Sequence, residues 1–276
     1  VGKIETTLAL MGASWDILKK DREILFLPVI SGICCLAITT ILIVQALDHE
    51  WLKHLDPHSG IRKESFFFLF LFYYFNYLVI IFFNSAIITC AIIRMEGGNP
   101  TLGDGLQAAV NRFPQIAFWA LIASTVGMVL GMIESRSNRV RCIVSSVIGI
   151  AWSLVSYLAI PLIVVEKTNP LVALDRSLFL MQQTWGEQVI GNFSFGLIFT
   201  ILYLPILPLI LIVNRFWGAH LLLPIFVGAV LYLILLGIFQ SALQTVFNAV
   251  MYLYARDGKI PGGFSTELLQ NAMRSS

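Results

Sequence analysis

Charge is what this sequence has least of. Asp, Glu, Lys and Arg make up 12% of its 276 residues, about half the share of an ordinary soluble domain. A water-soluble fold with a charged surface is therefore not the expectation. The net charge is only +2 and no basic run occurs, so nucleic acid is not an expected partner. Cysteine is scarce as well: Cys34, Cys35, Cys90 and Cys142 lie inside or at the ends of apolar runs, without zinc-like spacing, and free buried thiols are expected. Ser and His nowhere form a nucleophile-and-base arrangement, and no Gly-rich phosphate loop precedes a helix. No catalytic residue, cofactor or metal site is assigned on these grounds, and an enzyme is not expected. Nor does a charged residue fall near the centre of any long apolar run, which speaks against proton-coupled or charge-moving transport.

Apolar length is what the sequence has in excess. Hydrophobic residues make up 58% of the chain and the mean hydropathy is +0.83. Six runs, roughly 24–47, 66–93, 115–133, 142–165, 189–213 and 221–254, approach or exceed the twenty or so residues that cross a bilayer. The first is too long and too late for a cleavable signal peptide. The expected fold is all-α, a polytopic transmembrane helical bundle of about six spans in a single membrane domain, 1–276.

A recurring junction organises these runs. The second run ends in Arg94 and Glu96, and Asn99-Pro100 then opens a short amphipathic segment. The pattern returns 70 positions on as Glu166, Asn169 and Pro170, and more loosely as Asp257 and Pro261, the acid preceding the proline by four each time. Asn is a good N-cap and Pro suits the first helical position, so a helix is expected from about Thr101 to Phe113, with Pro114 redirecting the chain. The acids have a structural reading at helix ends, where they favour the positive end of the next dipole. After Pro170, Leu171, Leu174, Leu178 and Met181 face away from Asp175, Arg176 and Gln182, and Trp185-Gly186 ends the segment.

Three pseudo-repeats are expected, about 1–98, 99–168 and 169–260, with a short amphipathic tail over 261–276. Two spans per unit return the chain to one side, so the units are parallel. That side carries eleven Lys and Arg against seven on the other, which places both termini in the cytoplasm.

Smaller features fill in the picture. Residues 3–22 read as an amphipathic helix, with Ile4, Leu8, Met11, Trp15 and Leu18 opposite Lys3, Glu5, Asp16 and Lys19, lying on the membrane or on the protein's own face. His54 and His58 have the spacing of two ligands on a helix, but Pro57 between them disfavours that helix, and a solvated loop is expected over 48–64. Aromatics crowd residues 66–77 as an interfacial belt and outer wall. Ala123, Gly127 and Gly131 in the third run and Ser145, Gly149 and Ser153 in the fourth form small-residue ridges suited to pairing. Pro205 and Pro208 predict a kink in the fifth. Asn76 and Asn84 share a face, and Gln240, Gln244 and Asn248 form a stripe in the last run. Such amides either line a water path or hold helices together.

The stretch Phe83-Asn84-Ser85-Ala86 through Arg94, Glu96, Gly97, Gly98, Asn99 and Pro100 to Gly103-Asp104-Gly105-Leu106, with Val165-Glu166, Ala173-Leu174, Ser177, Thr184-Trp185-Gly186 and Gly191-Asn192-Phe193, resembles a family of uncharacterised prokaryotic six-span membrane proteins. The resemblance covers nearly the whole chain and implies an inner-membrane protein without an assigned activity. A weaker likeness around Pro170 to Asn192 is to the membrane domain of some bacterial glycerophosphodiester phosphodiesterases. The phosphodiesterase domain itself has no counterpart here, so no catalytic residue is carried over.

Two functions compete. One is a non-enzymatic membrane scaffold or accessory subunit, with membrane lipids and a protein partner or a second copy as its contacts. The other is a channel or facilitator for a neutral or weakly charged solute, lined by Asn76, Asn84, Gln240, Gln244 and Asn248.

Overall fold

The structure is a computed structural model that describes residues 14–48, 63–134, 139–205 and 222–257. Among these residues it is helical throughout, without a strand. A helix described over 14–20 leads through a 3-10 turn, Arg22–Leu25, into α1 (Phe26–Asp48). Then follow α2 (Lys63–Met95), α3 (Leu102–Asn111), α4 (Phe113–Glu134), α5 (Arg139–Ser156), α6 (Ala159–Val165), α7 (Pro170–Tyr203) and α8 (Leu222–Asp257). Five segments, 22–47, 66–95, 113–133, 145–165 and 227–253, are long and apolar enough to cross a membrane. The fifth run expected from sequence, 189–213, is described only as far as residue 205. Residues 3–13 of the first amphipathic segment, the His54/His58 loop, Pro208, Pro261 and the tail lie outside the described residues.

The central helix is α2, which packs against α1, α3, α4, α6 and α8. Its apolar residues Ala86, Ile87, Ile88, Cys90 and Ala91 are fully buried. They meet Ile116 and Ala120 of α4, Leu158 to Leu162, and the stretch Ala242 to Val250 of α8 in one core. This core lies toward the junction ends of the helices. Farther along, Ile41, Val44 and Leu47 of α1, Val147 and Ile150 of α5, and Leu231 to Leu235 of α8 are exposed. Apolar side chains on the outside of a long apolar helix are in the right place for lipid.

Helix boundaries differ from expectation at four places, each with a local cause. The fourth run is two helices, broken at Tyr157-Leu158. Pro161 has no N–H for the carbonyl of Tyr157 four residues earlier, so the ladder cannot continue through it. Trp185-Gly186 does not end the amphipathic segment; α7 runs unbroken for 34 residues from Pro170 to Tyr203. Pro205 lies just past the end of α7 rather than kinking it. Pro114 does not turn the chain: the break is at Arg112, and Pro114 sits in the first turn of α4, where a missing N–H costs nothing.

The helix over 14–20 packs on the protein itself. Ile17 and Leu18 are buried, and Trp15 lies 4.8 Å from Phe239 of α8, while Asp16, Lys19 and Lys20 are exposed.

Candidate functional site

The first junction begins with the end of α2. Gly97 takes a left-handed φ of +91°, its N–H donates to the Arg94 carbonyl at 3.1 Å, and the Gly98 N–H donates to the Ile93 carbonyl at 2.9 Å. This is a Schellman ending with Glu96 as the C-cap. Exposed Glu96 is thus a helix-end residue. The second junction repeats the turn: Glu166 is the C-cap of α6, and Lys167, 70 positions after Gly97, has a φ of 59°. Here a residue with a Cβ takes the conformation that glycine adopts freely.

The helix starts are not equivalent. At the second junction the expectation is met: Asn169 caps α7, its Oδ1 accepting from the Leu171 N–H at 3.2 Å, and Pro170 follows at N1. At the first junction the cap is Thr101, not Asn99. Thr101 Oγ1 accepts from the Asp104 N–H at 3.2 Å and the Asp104 carboxylate accepts from the Thr101 N–H at 2.9 Å, a complete capping box. Those bonds hold the Asp104 carboxyl below the usual carboxylate range, the backbone bond from Thr101 being the larger cause. Asn99 instead accepts at Oδ1 from Arg94 at 2.6 Å.

The first two junctions are each tied to a neighbour by a charge pair. Arg94 donates from Nε and from one terminal nitrogen to both oxygens of Asp21, which is only 9% exposed. Glu166 pairs with Arg176 at 2.7 Å and accepts from the Tyr252 hydroxyl at 3.1 Å. Arg256 in turn donates to that hydroxyl at 3.2 Å and stands 5.3 Å from the Tyr252 ring centre. The second junction is therefore bound to α7 and α8, the first to the entry of α1. Asp257 closes α8 as its last residue.

A glycine lets α3 press against α2. A Cβ on Gly105 would stand 2.6 Å from Cys90 Sγ and 2.7 Å from the Ala86 carbonyl oxygen. Between α4 and α5 the small-residue ridges serve different partners. Ser145 donates to the Leu130 carbonyl at 3.2 Å, as pairing of the two runs requires, and Trp119 and Trp152 stack at 5.8 Å. Gly127, however, faces the Tyr77 hydroxyl of α2, and Gly131 meets nothing within 4 Å.

The five amides are not gathered around one space. Asn76 donates to the Phe72 carbonyl at 2.9 Å and accepts from Thr39 of α1 at 3.4 Å. Asn84 accepts from Thr245 of α8 at 3.4 Å. Gln240 accepts from Tyr203 of α7 at 2.9 Å, and Gln244 is also engaged. Asn248 donates to the Tyr157 carbonyl at 3.0 Å, the acceptor that Pro161 releases. Ser177 of α7 completes the repair, accepting from the Leu158 N–H at 3.3 Å and donating to the Val155 carbonyl at 2.6 Å. Asn248 and Ser177 thus satisfy, from other helices, backbone groups at the break, as apolar surroundings require.

Two cavities stand out among the described residues. A groove of about 510 Å³ between α1, α2 and α8 is lined by apolar residues such as Pro28, Ile33, Ile80 and Ile234, and of the five amides it includes Asn84 alone. A second cavity, about 390 Å³, lies at the junction end between residues 19–24 and residues 99–102. It brings Lys19, Lys20 and Arg22 together with Asn99 and Thr101. No group of three or more His, Cys, Asp or Glu suited to a metal occurs among the described residues.

Sequence reasoning singled out Arg94, Glu166 and the amides but did not pair them with Asp21, Arg176 and Tyr252, nor place Ser177 at the Tyr157-Leu158 break. Only the Thr101-to-Asp104 spacing carried a local signal.

A family match covers residues 64–263, which include every junction and all five amides. The chain belongs to the family of unknown function DUF6159. No curated protein matches it. For this DUF6159 chain the geometry of its own residues therefore carries the functional argument.

Proposed function

We propose that this protein is a non-enzymatic integral membrane scaffold or accessory subunit, whose face of junction helices forms a collar against lipid headgroups or a partner protein. The observation that carries this reading is the commitment of the amides: four of the five bond to groups outside their own helix, and of the five Asn84 alone lines either of the two cavities described above. A polar lining for a solute path needs amides that converge on one hydrated space. The collar has a second support. Leu171, Val172, Leu178 and Phe179 of α7 are all at least 40% exposed beside the second junction, an apolar surface at the membrane boundary.

The excess of Lys and Arg on the junction side supports a cytoplasmic collar, and with it both termini in the cytoplasm. The family resemblance supports a prokaryotic inner membrane. The paired positive-φ turns support three parallel units, at least for the first two.

The test is flux and stoichiometry. Purified protein in liposomes should leave uptake of small neutral solutes at the rate of empty vesicles, and native mass spectrometry after gentle extraction should retain a second protein or a second copy. Solute flux that Gln244→Leu abolishes without lowering expression would replace the scaffold by a channel.

A further inference from the structure

The cavity at the junction end differs from the apolar groove in what surrounds it. Lys19, Lys20 and Arg22 lie along one wall, and all three are exposed. Lys19 is held 5.8 Å over the Trp15 ring, and Trp15 is itself fixed against Phe239. The two acids on the same wall weigh less than they count. Asp21 is neutralised by the two-pronged contact with Arg94, which leaves Glu23 alone against three cations. The opposite wall is the Asn99-Pro100-Thr101 link and Leu102, at the start of α3. Its place along the chain sets its depth. Residues 19–24 immediately precede the apolar stretch of α1, and residues 99–102 follow the end of α2, so the cavity lies where a bilayer changes from hydrocarbon to headgroup.

From this we infer that the cavity is a site for the phosphate group of an anionic phospholipid of the adjoining leaflet, its hydrocarbon chains lying along the exposed face of α1. Three cations around a recess at headgroup depth recognise a phosphate that brings a net negative charge, and offer much less to a zwitterionic headgroup whose own ammonium they repel. The exposed side chains Phe26, Ile30 and Ile33, one to three turns further into the membrane, supply the apolar surface such a lipid needs. The inference rests on reading the junction face as a lipid-contacting collar and names the lipid class that the first unit of the collar selects.

Each Lys or Arg beside an anionic headgroup is worth roughly fivefold in affinity. Native mass spectrometry of delipidated protein, offered equal amounts of phosphatidylglycerol and phosphatidylcholine with the same chains, should show one phosphatidylglycerol per chain retained at least about tenfold over phosphatidylcholine. Lys19→Gln/Lys20→Gln/Arg22→Gln should bring the two lipids within about twofold. Arg112→Gln/Lys167→Gln, which removes two cations of the same face outside the cavity, should leave the preference intact, and Lys19→Arg/Lys20→Arg should keep it too. If the triple variant does not fold, Lys20→Glu alone should lower the preference by more than about fivefold. A triple variant that keeps the full preference, or a control pair that loses it, overturns the site. Displacement of the lipid by an excess of inorganic phosphate assigns the cavity to free phosphate and overturns the lipid. None of these readouts depends on flux or on a bound partner, so loss of the scaffold reading and loss of the lipid site are separate results.

Discussion

The Asn248 side-chain amide donates to the main-chain carbonyl of Tyr157, 3.0 Å away and 91 positions earlier in the chain. That bond takes up the acceptor left free by Pro161, and Ser177 takes up the neighbouring Leu158 N–H. Asn248→Leu should therefore lower stability by about 1–2 kcal/mol, the cost of an unmet buried carbonyl. Ser177→Ala should cost a similar amount. Thermal unfolding in detergent measures both, and a wild-type midpoint for Asn248→Leu would mean the amide is dispensable to packing.

Arg94 and Asp21 join the end of α2 to the entry of α1. Arg94→Ala leaves a carboxylate that is only 9% exposed without its partner and should cost about 2 kcal/mol, below the roughly 3–5 kcal/mol of a fully buried pair because Arg94 retains some solvent contact. Asp21→Asn should cost less, and the double variant Arg94→Ala/Asp21→Asn less than the sum of the two. Strict additivity in chemical denaturation would show that the pair is not coupled.

Gly105→Ala places a methyl 2.6 Å from the Cys90 sulfur and 2.7 Å from the Ala86 carbonyl. Helix α3 must lift from α2, at about 1–3 kcal/mol. Cys90, fully buried in the native chain, should then alkylate faster with a membrane-permeant maleimide; an unchanged labelling rate would contradict the close approach.

Lys167 holds a φ of 59° that a glycine adopts without strain. Lys167→Gly should stabilise by up to about 1 kcal/mol, whereas Gly97→Ala, at the matching turn, should destabilise by a similar amount. Opposite signs in the two melting shifts are the result to look for, and equal signs would refute the shared geometry.

The Asp104 carboxyl is held below its ordinary value by the Thr101 bonds. A depressed folded-state pKa means that its contribution is present above the ordinary carboxylate range and is lost as pH falls through the lowered value. The start of α3 should loosen as pH drops below about 4, read as faster amide exchange at Asp104 and Gly105. Asp104→Asn should remove that pH dependence.

The apolar runs announced the spanning helices because crossing hydrocarbon demands length and little else. Asn169-Pro170 announced the cap of α7 because both interactions are local. Asn99-Pro100 misled for the same reason: the identical dipeptide precedes Thr101 and Asp104, whose reciprocal capping box starts the helix two residues later, and leaves Asn99 to Arg94. The break at Tyr157 was illegible, since one proline in an apolar run looks like any other. What makes that proline tolerable, Ser177 and Asn248, stands on other helices. The partners of Arg94 and Glu166 were hidden likewise, Asp21 being 73 positions from Arg94 and Tyr252 86 from Glu166.

The unbroken course of α7 has a mechanical meaning. At 34 residues it is about 50 Å long, well beyond the roughly 30 Å of hydrocarbon. Over residues 102–134 the chain has instead an elbow at Arg112, between α3 and α4. Helix α7 has no such elbow. It is one continuous hydrogen-bonded rod, with Leu171 and Phe179 exposed near its start and Tyr203, its last residue, bonded to Gln240 of α8. A displacement of its first turns would be carried along a single helix to α8, whereas one at α3 would meet the break at Arg112 first.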